Sequence, residues 1–98
     1  MTKRYRITQK AKSDLYSIAQ YSARAWGNKQ KNLYISKLKK RIEWLSKNPK
    51  VGKNRAEIQS DVYSYPEGEH VIFFTIDDAY IEIIGILHNR MDVASNLH

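Results

Sequence analysis

The sequence predicts an α+β fold in the order β-α-α-β-β-β, with an antiparallel sheet packed on one face by an N-terminal helical hairpin. Three observations predict it. Apolar residues recur at three- and four-residue steps through the first half of the chain, and from Asp61 the period changes to two. Trp26-Gly27-Asn28 and Asn48-Pro49 supply the stops that divide the helical half into two helices. The 98 residues suffice for one hydrophobic core and are read as a single domain over 1–98.

Each element has a local reason. Tyr5-Arg6-Ile7-Thr8 alternates as a short strand, and Thr8 is placed to cap the helix behind it. From Ala11, the residues Leu15, Ile18, Ala19, Ser22 and Ala25 or Trp26 form one helical face. Gly27 suits a left-handed stop and Asn28 a cap for the next helix, so the tripeptide reads as the tip of an αα-hairpin. Tyr34, Leu38, Ile42 and Leu45 form the apolar stripe of the second helix, and Lys37, Lys39, Lys40 and Arg41 occupy much of the remainder. Pro49 ends it. Lys50 to Glu57 is a basic connection around Gly52 without apolar periodicity.

Val62 to Tyr65 is the next strand, Pro66-Glu67-Gly68 a turn, and His70 to Ile76 an apolar, β-branched and aromatic strand. Asp77-Asp78 is a hairpin turn, and Tyr80 to Leu87 is the last strand. Beyond it lies a tail with no pattern of its own.

Composition narrows the function. With 42% hydrophobic and 28% charged residues the chain is globular. It has no cysteine, which excludes disulfides, thiolate ligands and a thiol nucleophile. No segment approaches the roughly 18 apolar residues of a membrane span, and the polar, basic first ten residues do not read as a signal peptide, so a cytoplasmic protein is expected. The net charge of +7 is unevenly divided. Residues 1–55 hold 16 of the 17 Lys and Arg against Asp14 and Glu43, for +14; residues 56–98 hold Arg90 against eight acids, for −7. That split favours an anionic partner, a nucleic acid or an acidic protein, or else marks a solvated lysine-rich helix.

No metal or cofactor site is expected. His70 and His88 begin and end different strands, His98 is terminal, and no two histidines stand at i and i+4. The glycines are isolated, so there is no phosphate loop, and no Ser-His-Asp set stands out. RNA cleavage without metal uses Lys, Arg, His and Tyr, and Lys50, Lys53, Arg55, Tyr63, His88 and Arg90 supply those types. Whether they converge is a question of tertiary structure; the plain alternative pairs Arg55 with Glu57 or a sheet carboxylate.

Several segments together resemble a known family. Asp14-Leu15-x-x-Ile18-x-x-Tyr21, Trp26-Gly27, Asn48-Pro49-x-x-Gly52-Lys53-x-Arg55-x-Glu57-Ile58, His70-x-Ile72-Phe73-Phe74 and Ile86-Leu87-His88-x-Arg90-Met91-Asp92 look like the ParE branch of the RelE/ParE toxin superfamily, in order and over nearly the whole chain. The resemblance implies a toxin that inhibits DNA gyrase, a type II topoisomerase, without catalysis or cofactor and with no direct nucleic-acid contact required. It implies neutralisation by a ParD-like antitoxin in a hetero-oligomer, the antitoxin's acidic residues meeting the basic region. The alternative is a ribosome-dependent mRNA endoribonuclease of the RelE type. Such enzymes typically carry an arginine in the strand after the basic loop and a tyrosine after the His-Arg segment, where this chain has Tyr63 and no tyrosine beyond His88. Many ParE sequences also have arginine at the Tyr63 position, a departure that bears on the target.

The binding candidates are Trp26, Arg55, Tyr63, Tyr65, His88, Arg90 and Asp92. Arg55, Arg90 and Asp92 match the family motif and are read as a charged cluster at one end of the sheet, functional or fold-stabilising. Trp26 at the hairpin tip either anchors a partner or closes the hairpin from inside. Tyr63 and Tyr65 share one strand face, either lining an antitoxin groove or packing under the helices. Residues 91–98 either dock in the groove the antitoxin uses or are disordered.

Overall fold

Thr8 sets where the first helix begins: its Oγ1 accepts from the Ala11 N–H at 3.1 Å, satisfying a donor that the helix itself cannot pair. The computed structural model describes residues 4–97. Strand β1 (Tyr5–Ile7) leads into helix α1 (Gln9–Trp26), which is followed by α2 (Asn28–Lys47). Gly27 alone separates the helices. Its φ of 88° favours glycine, its N–H donates to the Ala23 carbonyl, and its own carbonyl accepts from the Lys31 N–H. The expected cap at Asn28 is therefore corrected: Asn28 is already the first residue of α2 and its side chain makes no capping bond.

A 3₁₀ turn (Pro49–Val51) leads to β2 (Lys53–Asn54), and the meander β3 (Val62–Glu67), β4 (His70–Ile76) and β5 (Ile81–His88) follows. The chain closes on a short helix, α3 (Val93–Asn96). The α+β order is as expected, with three differences in the sheet. Pro66 and Glu67, expected in the turn, continue β3, because they pair with Val71 and His70 and leave only Gly68 and Glu69 to reverse the chain. The strand order is β1-β5-β4-β3-β2, and β1 runs parallel to β5, so the sheet is mixed. Alternation marks a strand but carries no direction; what orients β1 is its ladder on β5, closed by Ile81 N–H to Arg4 O and Thr8 N–H to Ile83 O. The short β2 lies in the connection expected to be irregular, paired with β3 through Lys53↔Ser64 and Asn54↔Tyr63.

The sheet has two buried faces. Ile72, Phe74, Ile83 and Ile86 face the helices and pack with Ala11, Ile18, Leu38, Ile42 and Leu45. Val62, Phe73 and Leu87 face the other way and are sealed by Leu97, with Ile58 and Val93 at the border. A register shift between Phe73 and Phe74 lets Ile86 and Ile83 both face the helices although they stand three positions apart. The expectation for residues 91–98 is thus corrected as far as Leu97: this segment folds back onto the chain's own sheet, because Leu97 at 5% exposure covers apolar surface that the helices cannot reach. His98 lies outside the described residues.

Gly52 is required for space rather than for its backbone angle. A Cβ there would come within 2.5 Å of Phe74 Cζ and 3.1 Å of Tyr63 Cβ, both fixed in the core. Gly52→Ala is expected to destabilise the fold by about 1–3 kcal/mol through overpacking. Leu97→Ala should cost about 2 kcal/mol by uncovering the second core. Urea unfolding midpoints measure both; an unchanged midpoint for Leu97→Ala would mean that the C-terminal segment does not hold the sheet.

Candidate functional site

At the end of the sheet where β4 starts and β5 finishes, the register pairs His70 directly with His88. Their rings meet edge to face at 5.4 Å between centroids. Period-two alternation puts both on the helix side, where Tyr34 of α2 reaches down to them. The Tyr34 hydroxyl lies 2.6 Å from His70 Nδ1, accepts from the Glu69 N–H at 3.1 Å, and is 3.3 Å from the Glu67 carbonyl. Burial, opposed by the Glu69 N–H bond and assisted by the Glu69 and Glu67 charges, raises the Tyr34 pKa, so the phenol keeps its proton. One proton on the hydroxyl and the shorter distance to Nδ1 make His70 the acceptor, with its own proton on Nε2. His70 is held below the ordinary imidazole range, first by burial and then by repulsion from His88, with Glu69 opposing.

The row of rings continues outward. Tyr34 meets Trp26 edge to face at 6.2 Å, and Trp26 meets Tyr21 at 6.1 Å. The β3–β4 turn is moulded to Tyr34: a Cβ on Gly68, whose φ is 59°, would strike the Tyr34 ring at 2.7 Å. Alongside runs a groove of about 500 Å³ between α1 and the ends of β4 and β5, lined among others by Lys10, Asp14, Tyr21, His70, His88, Arg90 and Met91. Asp14 fixes its inner wall, its Oδ2 accepting from Lys10 Nζ at 2.6 Å and from the Ile86 N–H at 2.9 Å. His88 Nδ1 accepts from the Arg90 N–H at 3.1 Å, which turns the Arg90 backbone across the groove's mouth. The groove offers an exposed aromatic rim, an imidazole and a guanidinium for a partner to engage.

The candidates from sequence divide among four places. His88 and Arg90 line this groove, and Trp26, 46% exposed, stands in the ring row between Tyr34 and Tyr21. Tyr63 and Tyr65 pack under the helices, Tyr63 against Phe74 at 6.1 Å and Tyr65 against Trp44 at 5.4 Å. Arg41 bridges to this second place, its Nε donating to Glu67 Oε1 at 2.7 Å while its guanidinium lies over Trp44 and Tyr65. Arg55 belongs to the opposite face. It bonds Glu57 Oε2 at 2.7 Å and Ser64 Oγ at 3.1 Å and stacks over Phe73, and the bond holds the Glu57 carboxyl below its usual range.

Asp92 is elsewhere again, its Oδ2 accepting from Ser95 Oγ and its carbonyl from Asn96 Nδ2 at the start of α3. The charged cluster expected of Arg55, Arg90 and Asp92 is corrected accordingly: among the described residues no ion pair joins them, because the sheet stands between Arg55 and the His88 end. Lys53, paired in register with Ser64, shares the Arg55 face, so Lys53 and Arg55 do not converge with His88. Sequence reasoning missed Tyr34, His70, Glu69 and Asp14 as site residues. Tyr34 looked like part of the helix stripe, and the pairing of His70 with His88 exists only in the register.

The fold is one shared with toxins held in toxin–antitoxin complexes. The structure titled as a chromosomal ParDE system from P. aeruginosa superposes with a TM-score of 0.74 at 17% identity, covering 86% of this chain and 92% of that one. The RelBE2 toxin–antitoxin complex from Mycobacterium tuberculosis gives 0.57 at 22% identity, covering 91% of this chain and all of that one. The model of the ParE toxin of the type II toxin–antitoxin system parDE matches residues 5–93, and the chain belongs to that family. It is 32% identical over 95 residues to Toxin ParE1 of Caulobacter vibrioides, covering 97% of this chain and 98% of that protein. It is 30% identical over 98 residues to Toxin ParE1 of M. tuberculosis, covering 99% and 100%.

The burial of His70, with repulsion from His88 second, makes stability depend on pH. The folded chain favours neutral His70, so the unfolded chain binds more protons between the lowered value and about 6.5. The contribution is complete above about pH 6.5 and is lost as pH falls from there through the lower folded value. Urea midpoints recorded from pH 8 down to pH 5 should decline over that range, and His70→Gln should flatten the decline. Tyr34→Phe should cost about 1–3 kcal/mol at pH 8, since it strands the Glu69 N–H and His70 Nδ1.

Proposed function

We propose that the protein acts as a single domain in the cytoplasm, inhibiting DNA gyrase by binding it, with no catalytic step and no cofactor, until a ParD-like antitoxin neutralises it. Membership of the ParE family carries this reading. The two faces of the sheet support it: Lys53 and Arg55 lie on one, His88 on the other, so the residue types that cleave RNA do not surround one phosphate-sized spot. Tyr21, His88 and Arg90 border an open groove rather than an enclosed reaction centre, and Trp26 packs against Tyr21, an arrangement that suits a protein ligand. A partly exposed aromatic beside a guanidinium is the combination that anchors protein interfaces. The surplus of +14 in residues 1–55 supplies attraction for an acidic antitoxin segment.

Supercoiled plasmid incubated with gyrase and the purified protein should accumulate linear, cleaved DNA, the antitoxin should abolish it, and a cell-free translation reaction should continue. Trp26→Ala and Arg90→Ala should each weaken gyrase poisoning or antitoxin binding at least about fivefold, as residues contributing more than 1 kcal/mol do. Codon-positioned cleavage of mRNA on ribosomes, without gyrase-dependent breaks, would replace this reading with the endoribonuclease.

A further inference from the structure

Helix α2 keeps most of its charge unspent. Along Asn28–Lys47 it carries Lys29, Lys31, Lys37, Lys39, Lys40 and Lys47 against the single acid Glu43. Arg41 is turned to Glu67, and Lys47 stands 3.9 Å from Glu43. The other five lysines make no ion pair with any described residue. Three of them, Lys31, Lys39 and Lys40, border an open groove of about 540 Å³ where α1, α2 and β1 meet; Asn32 and Ser36 add polar lining, and Glu43 is its one acid among the described residues, outnumbered three to one by the lysines.

We propose that this groove and the lysines beside it hold the phosphate backbone of duplex DNA without reading its sequence. Lysine is depleted at the centres of protein interfaces, whereas its point charge on a long stem suits a row of phosphates. At 1.5 Å per residue, the unpaired lysines from Lys29 to Lys40 span roughly 17 Å, the length of about five base pairs. Tyr5, the one aromatic of the groove, packs against the core, which leaves no platform for the bases of a single strand and favours a duplex met through its backbone. The proposal does not rest on the gyrase reading, and a measurement with DNA alone keeps the two apart.

Fluorescence anisotropy with two labelled 20-base-pair duplexes of unrelated sequence, from 50 to 200 mM NaCl, tests it. The expected result is equal affinity for both duplexes and binding that weakens steeply with salt. Each lysine removed from the track should lower the slope of log K against log salt by roughly 0.9. Lys31→Gln/Lys39→Gln/Lys40→Gln should therefore lower it by roughly 2.7, and Lys40→Gln alone, the least disruptive variant, by roughly 0.9. Lys50→Gln/Lys53→Gln, outside α2, should change it by less than one. No binding at 50 mM NaCl, a marked preference for one duplex, or unchanged slopes in both groove variants would overturn the proposal. Binding of polyglutamate but not DNA would also overturn it and assign the track to an acidic protein.

Discussion

A sheet whose central strands are apolar on both sides must be covered twice, and the rest of this molecule follows from that constraint. In β4 and β5 nearly every residue is buried or half-buried, including the consecutive pair Phe73 and Phe74 and the run Ile81, Ile83, Ile86 and Leu87. The hairpin of α1 and α2 covers one face. The other is closed by Leu97 and Val93 from the C-terminal segment and Ile58 from the connection. Gly85 shows how close the second cover sits, since a Cβ there would meet Leu97 Cδ1 at 2.7 Å. The candidate groove lies where the two covers meet, between α1 and the chain that leaves β5.

The division of charge acquires a geometry from the same arrangement. The acids of the second half do not neutralise the helices evenly; they are spent at the sheet's turns and edges. Glu67 holds Arg41, Glu69 approaches His88 at 3.9 Å, and Glu57 holds Arg55. Each pair ties one element to another or stiffens a loop, but none reaches the unpaired lysines of α2. The positive field therefore stays concentrated on the helical side, away from the face that Arg55 occupies.

The polar links across the layers are few and specific. Asp14 ties α1 to the Ile86 N–H of β5, and Tyr34 ties α2 to the β3–β4 turn through Glu67, Glu69 and His70. Apolar packing is non-directional and would tolerate a helix hairpin rotated over the sheet. These hydrogen bonds are directional, so they set the position of the hairpin and with it the groove between His88, Arg90 and Tyr21.

The sequence by itself determined the elements and their order, because helical and strand periodicities are local properties written in consecutive side chains. Thr8 as a cap, Gly27 as the hairpin break, Pro49 as the stop and Asp77-Asp78 as a turn were all legible for that reason, and the ordered motifs made the family legible as well. The site was legible only in part. Residue types such as His88 and Arg90 could be marked, but their neighbours depend on contacts between residues far apart in the chain. Only the tertiary structure decided that β1 lies parallel to β5, that His70 stands opposite His88, that Arg55 and His88 fall on opposite faces, and that Leu97 belongs to the core. Strand direction, register and face are set by the joint packing of the whole sheet between its two covers, and no short window of sequence contains that information.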